Sequence, residues 1–418
     1  MNGTTAAPPL SRQAEPEPRP VLGWTARSCI LLLLFSHGFS FAEAPPAKRP
    51  GPDLEDFQTY DGPPVTSELF TSRLIFTNHR GSETTFYGQF NPAYQVFDDG
   101  VDTTRGLVDN GYWNSRLGFL VNVPAEENTL RLRFETALGL RSSAGVSQDF
   151  TPDAINWQRT ALRWFEAALD TRYGTVSAGQ GSMATDGTSG VDDSFTMHAG
   201  AADSTDGFAA FRFRDGNGGL TDVTVGSVND TFDGARRFRL RYDSPRFAGT
   251  MLSTSYGRNV LVSGNNTNDY DVALRRNRTL GDVAIRSAIG YAREDNPDGE
   301  NRERVAGSVS AFHTPTGLNL AFSAGSIVSG PDFIYTRLGW RAQVSEIGVT
   351  SVSADYYQGR DFLSGGSRTE NYGLYAVQSI DKLSTDAYAG WRRFTYRDEL
   401  GGSYKDADSL ILGLRYFF

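Results

Sequence analysis

The sequence has few lysines, a single cysteine and four histidines, and these shortages exclude several classes of protein. Lysine occurs three times in 418 residues, and 49 acidic residues outnumber 40 basic ones, so the net charge is −9. A chain of this charge lacks the electrostatic footprint of a nucleic-acid-binding protein, so no nucleic-acid partner is expected. The single cysteine, Cys29, rules out a disulfide within the chain.

Motifs of catalysis and cofactor binding are also missing. There is no G-x-S-x-G or H-E-x-x-H motif, no phosphate-binding loop and no C-x-x-C pair. Beyond residue 42 the histidines are His79, His198 and His313, which are widely separated. We therefore expect no catalytic residue, no cofactor and no metal. The acidic segment 295–300 has oxygen ligands of the kind calcium takes, but a solvated loop tip is the favoured interpretation.

Long apolar runs are absent after residue 42, which excludes a membrane-spanning helix. Before that point, Arg19 and Arg27 precede the apolar stretch 29–35. Ser40-Phe41-Ala42 then offers small residues at the two positions that signal peptidase reads. Residues 1–42 are therefore predicted to be a signal peptide, with a short buried helix as the alternative.

What the chain has instead is a regular alternation of apolar and polar residues. The clearest case is residues 130–141, where leucine and phenylalanine alternate with arginine, glutamate and small residues. A period of two is the signature of a strand with one apolar and one polar face. In a transmembrane barrel the apolar face contacts lipid and the polar face lines the lumen.

Sixteen strands of this kind are predicted, separated mostly by alternating short turns and longer polar loops. They span residues 85–97, 112–123, 129–141, 157–170, 173–180, 236–244, 249–258, 268–279, 281–293, 302–313, 317–329, 332–344, 347–359, 370–381, 383–397 and 408–418. The predicted fold is therefore all-β, a transmembrane antiparallel up-and-down β-barrel of residues 85–418. Residues 43–84 are predicted to be a proline-rich periplasmic leader. If residues 65–84 join the barrel, the strand number becomes 18.

The connection after the fifth strand, residues 181–235, is far longer than an ordinary loop. It is rich in aspartate. It also contains two stretches, Phe208–Arg214 and Val223–Val228, that suit a small hairpin.

Several segments resemble the general bacterial porins, the trimeric diffusion pores of Gram-negative bacteria. Phe86-Tyr87-Gly88-Gln89 is similar to their first strand, and residues 173–180 are similar to the fifth strand, which precedes their inward-folded third loop. The chain ends in Tyr416-Phe417-Phe418, similar to their closing strand with its terminal aromatic residue. The resemblance covers residues 85–418. It implies a homotrimer and a third loop, residues 181–235, that folds inward to form the constriction.

Arginines on the polar faces of the third, fourth and sixth strands are the predicted pore-lining residues. They are Arg131, Arg133, Arg163, Arg237, Arg239 and Arg241, and the acidic residues expected to face them from the loop include Asp186, Asp192 and Asp193. Guanidinium groups stay charged at physiological pH. Facing acidic side chains across a narrow pore, they would create a transverse field that selects among ions. The alternative is a basic surface on a soluble sheet.

The sequence thus predicts an outer-membrane porin, a water-filled channel for passive diffusion of ions and small hydrophilic solutes. Its expected partners are the lipid bilayer of the outer membrane, further copies of the chain in a homotrimer, and the solutes themselves. A substrate-selective channel for sugars or anions is the first alternative. An outer-membrane enzyme on a barrel scaffold is the weaker one, because it would need a histidine beside a serine or aspartate at the barrel rim.

Overall fold

The computed structural model describes residues 74–418 with the exception of 298, 400, 401 and 403. Its strands are β1 (Ile75–Thr77), β2 (Glu83–Phe90), β3 (Pro92–Asp98), β4 (Thr103–Asp109), β5 (Arg116–Ala125), β6 (Asn128–Ala137), β7 (Leu162–Thr171), β8 (Gly174–Ser182), β9 (Arg212–Arg214), β10 (Leu220–Thr224), β11 (Arg236–Asp243), β12 (Thr250–Arg258), β13 (Asn268–Leu280), β14 (Val283–Asp295), β15 (Arg302–His313), β16 (Leu318–Ile327), β17 (Asp332–Ser345), β18 (Gly348–Arg360), β19 (Arg368–Ile380), β20 (Thr385–Arg397) and β21 (Ala407–Phe417). Short 3₁₀ turns span Gly111–Trp113, Ser143–Gly145, Arg159–Ala161, Gly226–Val228 and Asp381–Leu383. None of the helical segments in the described part of the chain has the length and apolar character needed to cross a membrane.

The main sheet closes on itself as a barrel of sixteen antiparallel strands. β2 and β3 together form the first barrel strand, and β4 and β5 form the second, which is interrupted at residues 110–115. β21 pairs with β20 on one side and with β2 and β3 on the other, so the last strand meets the first. Because the last strand meets the first, the sheet is closed, as a sheet that spans a lipid bilayer has to be.

β1 is an addition to these sixteen strands. Its residues pair with β2, Ile75 opposite Thr85 and Thr77 opposite Glu83, beyond the point where β21 stops pairing. Because β2 begins at Glu83, the boundary predicted for the leader at residue 84 falls inside a strand. The predicted signal peptide and the leader as far as residue 73 lie outside the described residues.

The predicted all-β barrel and its strand number are confirmed, and two local predictions are corrected. Residues 103–109, predicted to be loop, form β4, because a turn through Gly100 (φ 80°) returns the chain beside β3. The strand predicted to reach Arg141 ends at Ala137. There Gly139 adopts φ 67° and lies so close to Trp157 that a Cβ would be 2.5 Å from the Trp157 Cα, so the chain leaves the sheet.

The barrel wall is apolar outside and polar inside. Along β11, Arg239 is only 4% exposed whereas the adjacent Leu240 is 57% exposed, and β13 likewise buries Asp271 and exposes Val272. This arrangement is the reverse of a soluble protein, because the apolar side chains face outward and the charged ones face the interior. It matches a wall with lipid outside and water inside.

Candidate functional site: the lumen and its loop

The long loop, residues 183–235, connects β8 to β11 and follows the inner wall of the barrel. Near its start Thr185 donates from its backbone nitrogen and its Oγ1 to Oδ2 of Asp271 on β13, at 2.8 and 2.7 Å. Farther along, Ser308 on β15 donates to the carbonyl oxygen of Thr188 at 2.7 Å. Inward-facing hydroxyls and carboxylates of the wall therefore satisfy backbone groups of the loop.

A buried charge network, the anchor cluster, makes the densest attachment of the loop. Its members are Asp192 of the long loop and Arg337, Asp355, Tyr375 and Arg392 of the wall. Arg337 lies 3.0 Å from Asp192 and 2.9 Å from Asp355, and Arg392 lies 2.6 Å from the same Asp355 oxygen. Tyr375 donates to the other Asp355 oxygen at 3.2 Å. Every charge in the network has an opposite charge beside it, as buried ions require.

Other bonds extend the attachment around the wall. Arg286 on β14 lies 2.6 Å from Asp193 of the loop. Arg392 donates to the carbonyl oxygen of Ala201 at 2.6 Å, and Arg337 donates to that of Gly200. The inner faces of β13 to β20 thus bind most of the first half of the loop.

The second half of the loop contains the hairpin β9–β10. Phe211 stacks on Phe97 of β3 with 4.1 Å between ring centroids. Arg214 lies 2.8 Å from both Asp99 and Asp102, in the turn between β3 and β4. The hairpin predicted within Phe208–Val228 is therefore present, and it packs against the end of the barrel that carries the longer connections.

The six arginines predicted to line the pore all lie on the inner face, where carboxylates of the wall itself pair with them. The pairs are Arg131 with Asp170 (2.5 Å), Arg133 with Glu135 (2.9 Å), Arg163 with Glu135 (2.5 Å), Arg237 with Asp269 (2.5 Å), Arg239 with Glu166 (2.5 Å) and Arg241 with Asp243 (2.8 Å). Arg239 and Arg241 also donate to the carbonyl oxygen of Ser182, where the long loop begins.

The expected pairing of these arginines with Asp192 and Asp193 is not found in the structure. Asp192 and Asp193 instead pair with Arg337 and Arg286 on β17 and β14. Asp186 accepts a short hydrogen bond from Ser182 at the end of β8. The physical reason is the path of the loop, which runs along β13 to β16 first and so brings Asp192 and Asp193 to the far side of the lumen.

Glu135 on β6 is an important inward residue that was not predicted as a site residue. Arg163, Arg133 and Arg116 approach its carboxylate with distances of 2.5, 2.9 and 3.7 Å, and Tyr87 donates to it at 2.9 Å. The alternating pattern placed Glu135 on the polar face with its arginine neighbours. It could not reveal that strands β5 and β7 contribute a guanidinium each to the same carboxylate.

Arg236, at the start of β11, and Asp206 of the loop belong to a second charged group that was not predicted from the sequence. The buried Nε of Arg236 has no hydrogen-bond partner among the described residues. Burial raises the pKa of Asp203 and of Asp206, and the charges of Arg236 and Arg163 oppose that rise at Asp206. Loop carboxylates and wall arginines therefore interact across this part of the lumen.

The histidines are not brought together, and no group of three or more histidine, cysteine, aspartate or glutamate residues within the described ranges could hold a metal ion. His198 is buried in the long loop, 3.8 Å from Asp386, and burial lowers its pKa well below the usual value. His313 ends β15, and His79 precedes β2.

A closed sixteen-stranded barrel with an apolar outside, a charged inside and a loop along its inner wall defines the class of transmembrane diffusion channels. The chain belongs to the Gram-negative porin family, whose model matches residues 78–399. It is therefore an outer-membrane porin, a channel for the passive diffusion of ions and small hydrophilic solutes.

Solved structures share this fold at low sequence identity. An anion-selective porin from Comamonas acidovorans is 15% identical, with a TM-score of 0.54 over 81% of this chain and 100% of that chain. OprB of Pseudomonas putida is 10% identical, with a TM-score of 0.54 over 80% and 94%. OmpT of Vibrio cholerae, solved in a trimer form, is 15% identical, with a TM-score of 0.50 over 81% and 99%. No curated protein matches the sequence.

Proposed function

We propose that the long loop is the constriction of this porin and that ions pass between the loop and the arginine-rich wall of β5, β6, β7 and β11. The observation that carries the proposal is the attachment of Asp192 to Arg337 inside the barrel at 3.0 Å. A sixteen-stranded barrel is otherwise a wide aqueous channel, so a segment held against its inner wall narrows it. The charges lining the remaining space act on each permeating ion at close range.

The test is single-channel conductance in planar bilayers after the loop is shortened. Replacing residues 187–206 with a short glycine-serine linker should raise conductance, because the lumen becomes wider. Shortening the outer connection 259–266 in the same way is the matched control and should leave conductance near the wild-type value. Unchanged conductance in a folded loop variant would contradict the constriction model and leave the family membership intact.

An anion-preferring channel is the more specific candidate function. It is favoured by the three arginines that share Glu135, and a similar fold belongs to a porin described as anion-selective. The reversal potential under a potassium chloride gradient distinguishes the two cases. A general pore gives a value near zero, and an anion-preferring pore gives a clear shift toward the chloride equilibrium potential.

Export and assembly complete the proposal. Residues 1–42 act as a signal peptide, so mass spectrometry of the protein from the outer membrane should give a start near Glu43. The outer face of the first strands carries a row of aromatic rings that suits contact with further copies in a homotrimer. The row consists of Phe76, Phe86, Phe119, Phe134 and Phe165, with neighbouring centroids 6.0, 5.9 and 5.5 Å apart for the first four.

The trimer can be tested with one matched pair of substitutions. Phe119→Ser removes the centre of the row, whereas Phe238→Ser removes an exposed ring from the outer face of β11. Light scattering of the detergent-solubilised protein should show a smaller complex only for Phe119→Ser. Equal masses for both variants and the wild type would argue against the row as the contact between copies.

A further inference from the structure

Glu135 occupies an unusual position in the lumen, because one buried carboxylate serves three guanidinium groups. It is 2% exposed, and Arg116, Arg133 and Arg163 reach it from β5, β6 and β7. On the same inner wall, Arg131, Arg237 and Arg239 each have a carboxylate of their own. Three positive charges and one negative charge leave a net charge of two positive units at this group.

The surrounding side chains hold Glu135 in place. Gly118 lies opposite both Tyr87 and Glu135 in the strand register, and a Cβ at Gly118 would be 2.8 Å from the Tyr87 ring. The glycine therefore lets the tyrosine lie flat across β5 and donate to Glu135 at 2.9 Å. On the other side Arg133 stacks over the Trp164 ring at 4.0 Å.

We propose that Glu135 is a selectivity-determining residue, which orients the three arginines and limits the excess positive charge that they present to permeating ions. This inference rests on the proposed function, since it names the residue that sets the ion preference of the same lumen. Without the carboxylate charge, the group would carry three positive units instead of two. Anions would then be attracted more strongly and cations repelled more strongly.

The experiment compares reversal potentials of folded variants in planar bilayers under a potassium chloride gradient. Glu135→Gln keeps the size and hydrogen-bond acceptor but removes the charge, so the anion-to-cation permeability ratio should rise by about two-fold or more. Glu135→Asp keeps the charge and should stay near the wild type. Glu303→Gln is the matched control, because it removes the same charge beside Arg293 on the outer face of the barrel. It should leave the permeability ratio unchanged.

Salt dependence separates this electrostatic role from a merely structural one. The effect of Glu135→Gln should be larger at about 0.1 M than at about 1 M salt, because the Debye length falls from about 10 Å to about 3 Å. A packing defect would give a shift that does not depend on salt. Arg116→Gln tests the same group independently, and it should lower the anion preference even if the glutamate variants do not fold.

The outcomes distinguish this inference from the proposed function. A wild-type protein that forms no conducting pore would overturn the proposed function. A conducting wild type with the same reversal potential in Glu135→Gln, or with no shift in Arg116→Gln, would overturn the role of Glu135 alone. A rise for Glu135→Gln together with a fall for Arg116→Gln would support it.

Discussion

The two halves of the inner wall use the same residue types in different ways. Along β13 to β20, wall residues bind the long loop, as Arg337 does with Asp192. Along β5, β6, β7 and β11, arginines bind carboxylates of the wall itself, as Arg131 does with Asp170, and several of them share one acceptor. The role of an arginine therefore depends on whether its partner lies on the loop or on the wall. A loop partner makes an arginine an attachment point, whereas Arg131 and Arg163, which pair with wall carboxylates, keep part of their side chains exposed in the lumen.

The largest expected effect on stability comes from a substitution on the half of the wall that binds the loop. Asp355→Ala leaves Arg337 and Arg392 buried with one shared acceptor fewer, so the free energy of unfolding should fall by about 3–5 kcal/mol. Denaturant titration of the detergent-solubilised barrel measures this loss. The released first half of the loop should also become sensitive to chymotrypsin at Phe195.

The matched change on the arginine-rich half is Asp170→Ala. Asp170 forms an ion pair with Arg131 and is partly exposed. Its removal should therefore lower the free energy of unfolding by about 1 kcal/mol or less. Equal losses for Asp170→Ala and Asp355→Ala would remove the distinction between the two halves.

The second prediction sharpens the contrast between the two faces of the wall. Leu240→Arg puts a charge into lipid near the middle of β11 and should destabilise the barrel by about 2–4 kcal/mol. Asn122→Arg introduces the same side chain on the inner face, opposite Glu83 in the register, and should be far milder. The measurement is again denaturant unfolding. A larger loss for Asn122→Arg would mean that the inner and outer faces are reversed.

Period-two alternation was sufficient to predict most of the barrel. It predicted the polar side of the third and sixth strands correctly, including Arg239 inside and Leu240 outside, because lipid and water impose opposite polarity on successive residues. It missed β4, whose Thr103–Asp109 sequence is too polar and too short to stand out from a loop.

The contacts between the long loop and the wall could not be predicted from sequence patterns. The length and acidity of residues 181–235 marked the segment, but the pairing of Asp192 with Arg337 joins residues 145 positions apart. Such a contact depends on the path of the loop through the lumen, which no local periodicity encodes. Arg337, Asp355 and Arg392 were visible only as polar residues on alternating strands.

The third prediction concerns ion preference on the arginine-rich half. Arg236→Gln removes a guanidinium whose Nε has no hydrogen-bond partner in the described chain, so no hydrogen bond of that atom is lost. The anion-to-cation permeability ratio should fall by about two-fold. Arg239 is a poorer choice, because it donates to the Ser182 carbonyl and its replacement would disturb the start of the loop. Arg293→Gln on the outer face is the control, and an equal shift there would contradict a lumen effect.

The smallest expected effect is a pH dependence that comes from the loop. Burial raises the pKa of Asp203 and Asp206, and it raises that of Asp233 to about 6. A raised pKa means that a carboxylate loses its charge at a higher pH than an ordinary aspartate. As the pH falls from neutral toward about 5, the loop should therefore become less negative, and the permeability ratio should move toward anions.

The double variant Asp203→Asn, Asp206→Asn isolates this contribution of the loop. It should show a higher anion preference at neutral pH and a weaker response to acid, because two of the titrating groups are gone. Asp361→Asn, in the outer connection between β18 and β19, removes a carboxylate away from the long loop and should keep the wild-type response. Reversal potentials measured from pH 8 to pH 4 give the comparison. If the double variant responds to acid as fully as the wild type does, the titrating charges lie at Asp233 or on the wall, and Asp203 and Asp206 do not set the ion preference.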